Sequence, residues 1–173
     1  MDELTQLSQN FILAWDTGVI VFLFFAAFFY GFSAGSRKLG TLLLSLYFSY
    51  TLITIAPRLN DFLAEMPDYR AAIIKLALFV LTGLVLFVLL AGSILRSALG
   101  LPKKEDSQLW HFLLLGIVSA GFLVSSALAF TPELFYDKLS TITRQGFLEN
   151  NAQFWWTLGG IAALVILRKT KKG

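Results

Sequence analysis

Long runs of this sequence carry no charged side chain, and they limit the folds that are open to the chain. Three of these runs extend from Gly18 to Ala34, from Leu76 to Leu95 and from Leu113 to Phe130. Each reaches or approaches the roughly 17–25 residues that a helix needs to cross a bilayer. Apolar residues make up 57% of the chain and charged residues 14%, against about 45–50% and 25% in ordinary soluble domains. The sequence therefore predicts an all-α, polytopic integral membrane helix bundle.

Polar and basic interruptions divide the apolar sequence into about five transmembrane helices. Arg37 and Lys38 would each cost about 2.5–3.5 kcal/mol at the centre of a bilayer, which favours a tight turn between the first two spans. Gly35 and Gly40 bracket this basic pair and would give the backbone of the turn its freedom. The second span ends before Pro57, because the residue preceding a proline is disfavoured in helical geometry. We expect one membrane domain over residues 1–173, with spans at about 17–36, 39–56, 71–95, 109–130 and 153–168.

The boundaries of these spans carry further signals. Asp16 is a plausible N-cap for the first helix. Between the fourth and fifth spans, apolar residues recur at helical spacing, which predicts a helix lying on the membrane surface over about 132–148. The fifth span is short, but Trp155 and Trp156 stand at one end and basic residues at the other, as expected of interfacial anchors.

The distribution of Lys and Arg predicts the orientation. With the N-terminus outside and the C-terminus inside, nine of the fourteen basic residues fall on the inner side, as the positive-inside rule requires. Arg96 is one of the nine, and the other eight are the topology anchors: Arg37, Lys38, Lys103, Lys104, Arg168, Lys169, Lys171 and Lys172. We interpret the basic C-terminal segment as an anchor, with no role in binding nucleic acid.

Small residues recur at every fourth position on several spans. In lipid no hydrophobic force drives helices together, so close packing depends on such residues. The expected packing residues are Ala27, Gly31, Gly35, Thr41, Ser45, Ser49, Gly121, Ser125, Ala129, Gly159 and Ala163. An alternative is that the Ser and Thr rows line a path for water, ions or a small solute. Because no charged residue lies in the middle of a span, a pore made by one chain alone is disfavoured.

The pentapeptide GFSAG, with Ser33 at its centre, fits the G-x-S-x-G pattern of serine hydrolases. That pattern works where a strand-to-helix turn exposes the serine beside a histidine and an oxyanion hole. Here it ends an apolar helix. The one histidine, His111, follows Trp110 at the start of a span, a place typical of an interfacial residue, and Asp106 would complete the triad order. We expect no catalytic residue, and an intramembrane serine hydrolase is a remote alternative.

The absence of cysteine and the single histidine narrow the chemistry further. Disulfides, thiolate catalysis and multi-histidine metal sites all need residues that this sequence lacks. We therefore expect no metal and no cofactor.

The order of features from about 16 to 130 resembles the colicin V production protein family of bacterial inner-membrane proteins. The matching residues are Asp16, Gly31, Phe32, Gly35 and Lys38, followed by LGTLLLSLYFSY and later by LWHFLLLGIVSAGF. The chain departs from the family in four places. Ser33 and Ala34 replace basic residues, Leu39 replaces an acidic one, Leu123 lies near the place of an arginine, and the fifth span is outside the pattern.

The resemblance implies a small polytopic protein of the bacterial cytoplasmic membrane, linked to colicin export and envelope homeostasis. It implies no established catalytic reaction. We expect a non-enzymatic subunit or accessory protein of an envelope transport or secretion assembly. Its partners would be the lipid bilayer and other membrane subunits, or further copies of itself. The alternative from another class is a small oligomeric channel or transporter for ions or small solutes.

Overall fold

The computed structural model describes residues 2–92, 101, 109–132, 135–136, 139–149 and 151–169, and it describes side chains between residues 16 and 167 of these ranges. The regular structure within these residues consists of seven helices, without strands. The helices are α1 Asp2–Ala34, α2 Ser36–Ile55, α3 Pro57–Ala64, α4 Asp68–Ala91, α5 Leu109–Ala129, α6 Thr141–Phe147 and α7 Ala152–Lys169.

Four of these helices contain a segment that is long and apolar enough to cross a membrane. The segments are Asp16–Ala34, Ser36–Ile55, Asp68–Ala91 and Leu109–Ala129, while α7 contributes a shorter apolar segment, Ala152–Leu167. The all-helical class expected from the sequence is confirmed, and its four long helices have the length and composition of membrane spans.

Helices α2 and α5 form the centre of the bundle. The buried share of the candidate span is 61% in α5 and 44% in α2, against 11% in α4 and 6% in α1. Helix α5 packs against α1, α2 and α7, and α2 also packs against α4. The outer helices α1 and α4 therefore present most of their apolar side chains to the surroundings.

Aromatic rings fill the space between α2 and α5. The ring of Tyr47 meets Phe122 edge-on with centroids 4.3 Å apart, and Tyr50 stacks on Phe130 at 5.5 Å. The fully buried Leu43 and Leu115 belong to the same core. These rings and branched side chains pack together in the core between α2 and α5.

A single glycine joins α1 to α2. Gly35 has φ 88° and ψ 159°, a combination that is essentially restricted to glycine, and α2 begins at the next residue. Gly40 lies inside α2, so the expectation that both glycines shape the turn is wrong for Gly40. A single residue with this backbone conformation is enough to interrupt the helix.

Two other expected boundaries differ from the structure. Helix α1 already begins at Asp2, so Asp16 lies within a helix and does not cap its start. The surface helix expected over about 132–148 is shorter: a one-turn segment at Phe135–Tyr136 precedes α6, and residues 133–134 and 137–138 lie outside the described ranges. The polar connector after α2 holds a further helix, α3, which the proline at its first position starts.

Candidate functional site

Gly31, one of the packing residues expected in α1, lies at a close approach to its neighbours. Gly31 is buried, and a Cβ atom there would overlap the side chain of Leu39 and come within 3.6 Å of Phe112. Ala27 is half-buried, and the backbone beside it meets Gly116 of α5. A Cβ at Gly116 would lie 3.4 Å from the Cα and N atoms of Phe28. Gly116 thus allows α1 and α5 to approach backbone to backbone, and the spacing of small residues did not reveal this role.

The hydroxyl row of α2 is buried and hydrogen-bonded. Thr41 donates to the carbonyl of Arg37 at 2.8 Å, and Ser45 donates to that of Leu42 at 2.7 Å, both within the helix. Ser49 donates to the carbonyl of Phe79 on α4, also at 2.7 Å. Ser49 therefore joins α2 to α4, whereas Thr41 and Ser45 form hydrogen bonds with the backbone of α2 itself.

Helices α5 and α7 meet through some of the expected residues but not all. Gly121 accommodates the ring of Trp156, and Ala163 is buried. Ala129, however, is exposed, and a Cβ at Gly159 would meet nothing within 4 Å. These two residues do not lie at close helix contacts. The close contact in α7 belongs to Gly160, where a Cβ would overlap the hydroxyl of Tyr47.

Few of the expected topology anchors have described side chains. Arg37 and Lys38 are half-buried in the first turn of α2, and Arg37 Nε donates to the carbonyl of Leu101 at 2.8 Å. This bond holds the chain beyond α4 against the hinge. The other anchors carry no side-chain description, since Arg168 and Lys169 are described only as backbone at the end of α7 and the rest lie outside the described ranges: Lys103, Lys104, Lys171 and Lys172.

The described residues around Ser33 lack the context that the hydrolase motif requires. Ser33 lies on the exposed side of α1, inside the helix, and no strand precedes it in the described residues. His111 is buried on α5 and stacks on Trp110 with ring centroids 4.3 Å apart, while Asp106 lies outside the described ranges. The strand-to-helix context that makes this motif reactive is therefore missing around Ser33.

A polar contact joins α1 to α6. Asp16 Oδ2 accepts a hydrogen bond from the backbone N–H of Ser140 at 2.9 Å, and the hydroxyls of Thr17 and Ser140 lie 3.1 Å apart. The Ser140 hydroxyl also accepts from the N–H of Thr143 at 3.2 Å, which makes Ser140 the N-cap of α6. Ser140 and Thr143 are buried, with 6% and 1% exposure. Asp16 therefore fixes the start of α6.

Helix α6 packs into the end of the bundle. Ser125 of α5 donates to the carbonyl of Phe147 at 2.9 Å, and Trp156 Nε1 donates to that of Gly146 at the same distance. The rings of Phe147 and Trp156 are parallel within 3° and 5.4 Å apart. Helix α6 thus contacts α1, α5 and α7. It belongs to the segment for which the sequence predicts a position on the membrane surface, and its Ile142 is exposed.

A cleft opens at the same end, between the first turns of α4 and the end of α5. It consists of two adjacent cavities of about 410 and 300 Å³, which share Ala72 and the residues 130–132 as walls. The larger contains Asp68 and Lys75, and the smaller contains Ile73, Leu76 and Ala127. One half of the cleft is thus charged and the other apolar.

A second groove, of about 470 Å³, lies on the outer surface between α1 and α5. Its walls include Ile20, Phe24, Leu113 and Ile117, and Thr17 is its one polar residue among those described. The groove can accept an apolar chain but offers no group for chemistry.

No protein-family model, no curated protein and no solved structure matches this chain. The resemblance to colicin V production proteins consequently stays an expectation based on the residues quoted above. Within the described ranges, no three His, Cys, Asp or Glu side chains form a group that could hold a metal ion.

Proposed function

We propose that this chain is a non-enzymatic integral membrane protein of the bacterial cytoplasmic membrane, a subunit or accessory of an envelope transport or secretion assembly. It would cross the membrane five times, with α7 as the fifth span, its N-terminus outside and its C-terminus inside. The resemblance to colicin V production proteins motivates this proposal. The observation that carries it is the apolar groove between α1 and α5, which the bundle leaves open to its surroundings.

The groove suits an apolar segment of a neighbouring membrane protein. Its walls come from α1 and α5, with Ile142 of α6 at one end, and a volume of about 470 Å³ can accept several side chains of a further helix. Helix association in lipid depends on van der Waals packing of this kind. A protein that works by holding other subunits needs such a surface and needs no reactive group.

The filled interior favours a role in assembly over transport by a single chain. A polar path requires groups that face a lumen, but the hydroxyls of Thr41, Ser45 and Ser49 are committed to backbone carbonyls. The rings of Tyr47 and Phe122 fill the space beside them.

A second candidate function, a small channel or transporter formed by several copies, has one observation in its favour. The hydroxyls of Ser119 and Ser126 on α5 are buried without a hydrogen-bond partner among the described residues. Buried polar groups ordinarily find a partner, which can be an ordered water. Water molecules bound to Ser119 and Ser126 of α5 would form part of the lining of a pore shared between several copies of the chain.

Two substitutions on adjacent residues of α1 test the assembly function. Ile20→Trp would fill the groove, whereas Val19→Trp places the same ring on an exposed position that does not line it. Tagged full-length protein would be purified in mild detergent after crosslinking in native membranes, and its partners identified by mass spectrometry. We expect a membrane protein of the envelope to be recovered with wild type and Val19→Trp and lost with Ile20→Trp. Equal recovery with both variants would contradict the proposal.

A flux assay separates the two candidate functions. Wild-type protein reconstituted alone into liposomes should not accelerate the efflux of K⁺, Cl⁻ or a small fluorescent solute above that of protein-free liposomes. Flux that scales with the amount of protein would replace the accessory function with the channel.

Reporter fusions test the topology. Alkaline phosphatase, which is active only outside the cytoplasm, should be inactive when fused after Gly173 and active when inserted between α3 and α4. An active fusion after Gly173 would refute the five-span arrangement, since α7 would then end outside.

A further inference from the structure

The cleft between α4 and α5 separates charged from apolar groups in the way that a phospholipid does. Its larger cavity contains Asp68 and Lys75, and its smaller cavity has Ile73 and Leu76 in its wall. The two cavities share walls, so one elongated molecule can occupy both. The cleft lies at the start of the candidate span of α4, where a membrane would pass from hydrocarbon to headgroups.

Lys75 is the innermost charge of α4. The sixteen residues that follow it in the helix, 76–91, carry none. Its side chain is half-buried and forms no ion pair within the described ranges. A lysine in this position extends its ammonium group towards the headgroups while its methylene stem stays in the apolar layer. Phosphate is the anion that a bilayer provides at that level.

Asp68 lies two helical turns before Lys75, roughly 10 Å nearer the start of α4. It is exposed, and its carboxylate belongs to the same cavity. Along α4 from the hydrocarbon outward, a cation is therefore followed by an anion, and the apolar wall with Ile73 and Leu76 lies beside them at about the same depth. Phosphatidylethanolamine carries the complementary pair, namely a phosphate and, further from its acyl chains, a primary ammonium group.

We propose that this cleft is a binding site for one zwitterionic phospholipid of the phosphatidylethanolamine type. Lys75 binds the phosphate, Asp68 accepts hydrogen bonds from the ammonium group, and an acyl chain lies against Ile73, Leu76 and Ala127. The site is independent of the groove between α1 and α5, which lacks charged groups among its described walls. A lipid in this position would fill the gap between the edge helix α4 and the central helix α5.

Native mass spectrometry of the detergent-purified full chain tests the proposal, with titrations of phosphatidylethanolamine, phosphatidylglycerol and inorganic phosphate. A charge near a membrane surface contributes about 1 kcal/mol, which corresponds to about a fivefold change in affinity. We expect wild type to bind phosphatidylethanolamine about fivefold more tightly than phosphatidylglycerol. Lys75→Gln should weaken both lipids about fivefold, and Asp68→Asn should remove the difference between them.

Two charge substitutions on α3 serve as controls, because Arg58 and Asp61 are exposed and lie outside the cleft. Arg58→Gln and Asp61→Asn should bind both lipids as wild type does. All four substitutions change exposed or half-buried polar groups, and unchanged circular dichroism would confirm that the helices are retained. Lipid affinities that are insensitive to Lys75→Gln and Asp68→Asn, or equally sensitive to the controls, would overturn the site. Displacement of the lipid by millimolar inorganic phosphate would assign the cleft to a soluble ligand and also overturn it.

Discussion

Replacement of Asp16 by alanine should loosen helix α6 while the rest of the bundle stays folded. The substitution removes the acceptor of the 2.9 Å bond from the Ser140 N–H and leaves that buried donor without a partner. A hydrogen bond to a charged group contributes about 1.5–3 kcal/mol. Because Ser140 also caps α6, the loss acts on the opening of this helix more than on global unfolding.

Amide hydrogen exchange of the detergent-solubilised protein measures this opening. Since each 1.36 kcal/mol is a factor of ten, exchange across residues 141–147 should accelerate roughly ten- to hundredfold in Asp16→Ala. Asp16→Asn keeps an oxygen acceptor at the same place and should accelerate exchange by about tenfold or less, the range of a neutral hydrogen bond. Exchange within α2 and α5 should not change.

A second aspartate provides the control. Asp61 is exposed on α3 and makes no hydrogen bond with its side chain among the described residues, so Asp61→Ala should leave the exchange of α6 at its wild-type rate. If Asp16→Ala changed the exchange of α6 less than threefold, or if Asp61→Ala changed it as much, the contact between α1 and α6 would not be what holds this helix.

Five further substitutions, four of them in two matched pairs, test the packing and the hinge by unfolding in mixed micelles. Gly160→Ala should destabilise the fold by about 1–3 kcal/mol, because the new methyl group overpacks against α2. The methyl group of Gly159→Ala meets open space, so this substitution should be neutral or stabilising by up to about 1 kcal/mol. Equal effects of the two substitutions would refute the register of α7. Ser49→Ala should cost about 0.6 kcal/mol, the average for an interhelical bond in a membrane protein, while Ser126→Ala should cost nothing, because its hydroxyl has no partner among the described residues. Gly35→Ala should cost about 1–3 kcal/mol, since a side chain is strained at φ 88° and ψ 159°, and a smaller loss would show that the hinge adopts another conformation.

The sequence predicts the helical class and the outline of the spans because these depend on the length of uncharged runs. Such runs occur at the right length in only a few places along the chain, and the long helices α1, α4 and α5 contain most of the three runs named above. The hinge was also predictable, since Arg37 and Lys38 exclude a continuous helix at that point. The chain crosses the hinge with one residue, Gly35, instead of a turn that extends to Gly40.

The contacts of single residues were less predictable, for a reason that α7 shows. Gly159 and Gly160 are adjacent, and either could face the bundle by spacing alone. Only the position of Tyr47 on another helix decides between them. The role of Asp16 at the start of α6 was also unpredictable, because it too depends on a residue of another segment. A capping residue usually serves its own helix, but here the partner backbone lies more than a hundred residues later, at Ser140.

The charge distribution and the filled interior together limit where a transport path can form. Within one chain, the centre of the bundle consists of α2 and α5, whose facing side chains include Tyr47, Phe122 and hydroxyls bonded to carbonyls. A hydrated path through that centre would have to break these contacts. No charged residue of the candidate spans lies deep enough to stabilise water or an ion there in their place. Among the sites that remain, Ser119 and Ser126 of α5 offer buried hydroxyls without a partner among the described residues, whereas the outer faces of α1 and α4 carry apolar and mostly exposed side chains. A path along those faces requires polar groups that another protein supplies, so a channel function and an accessory function both depend on the partner that covers them.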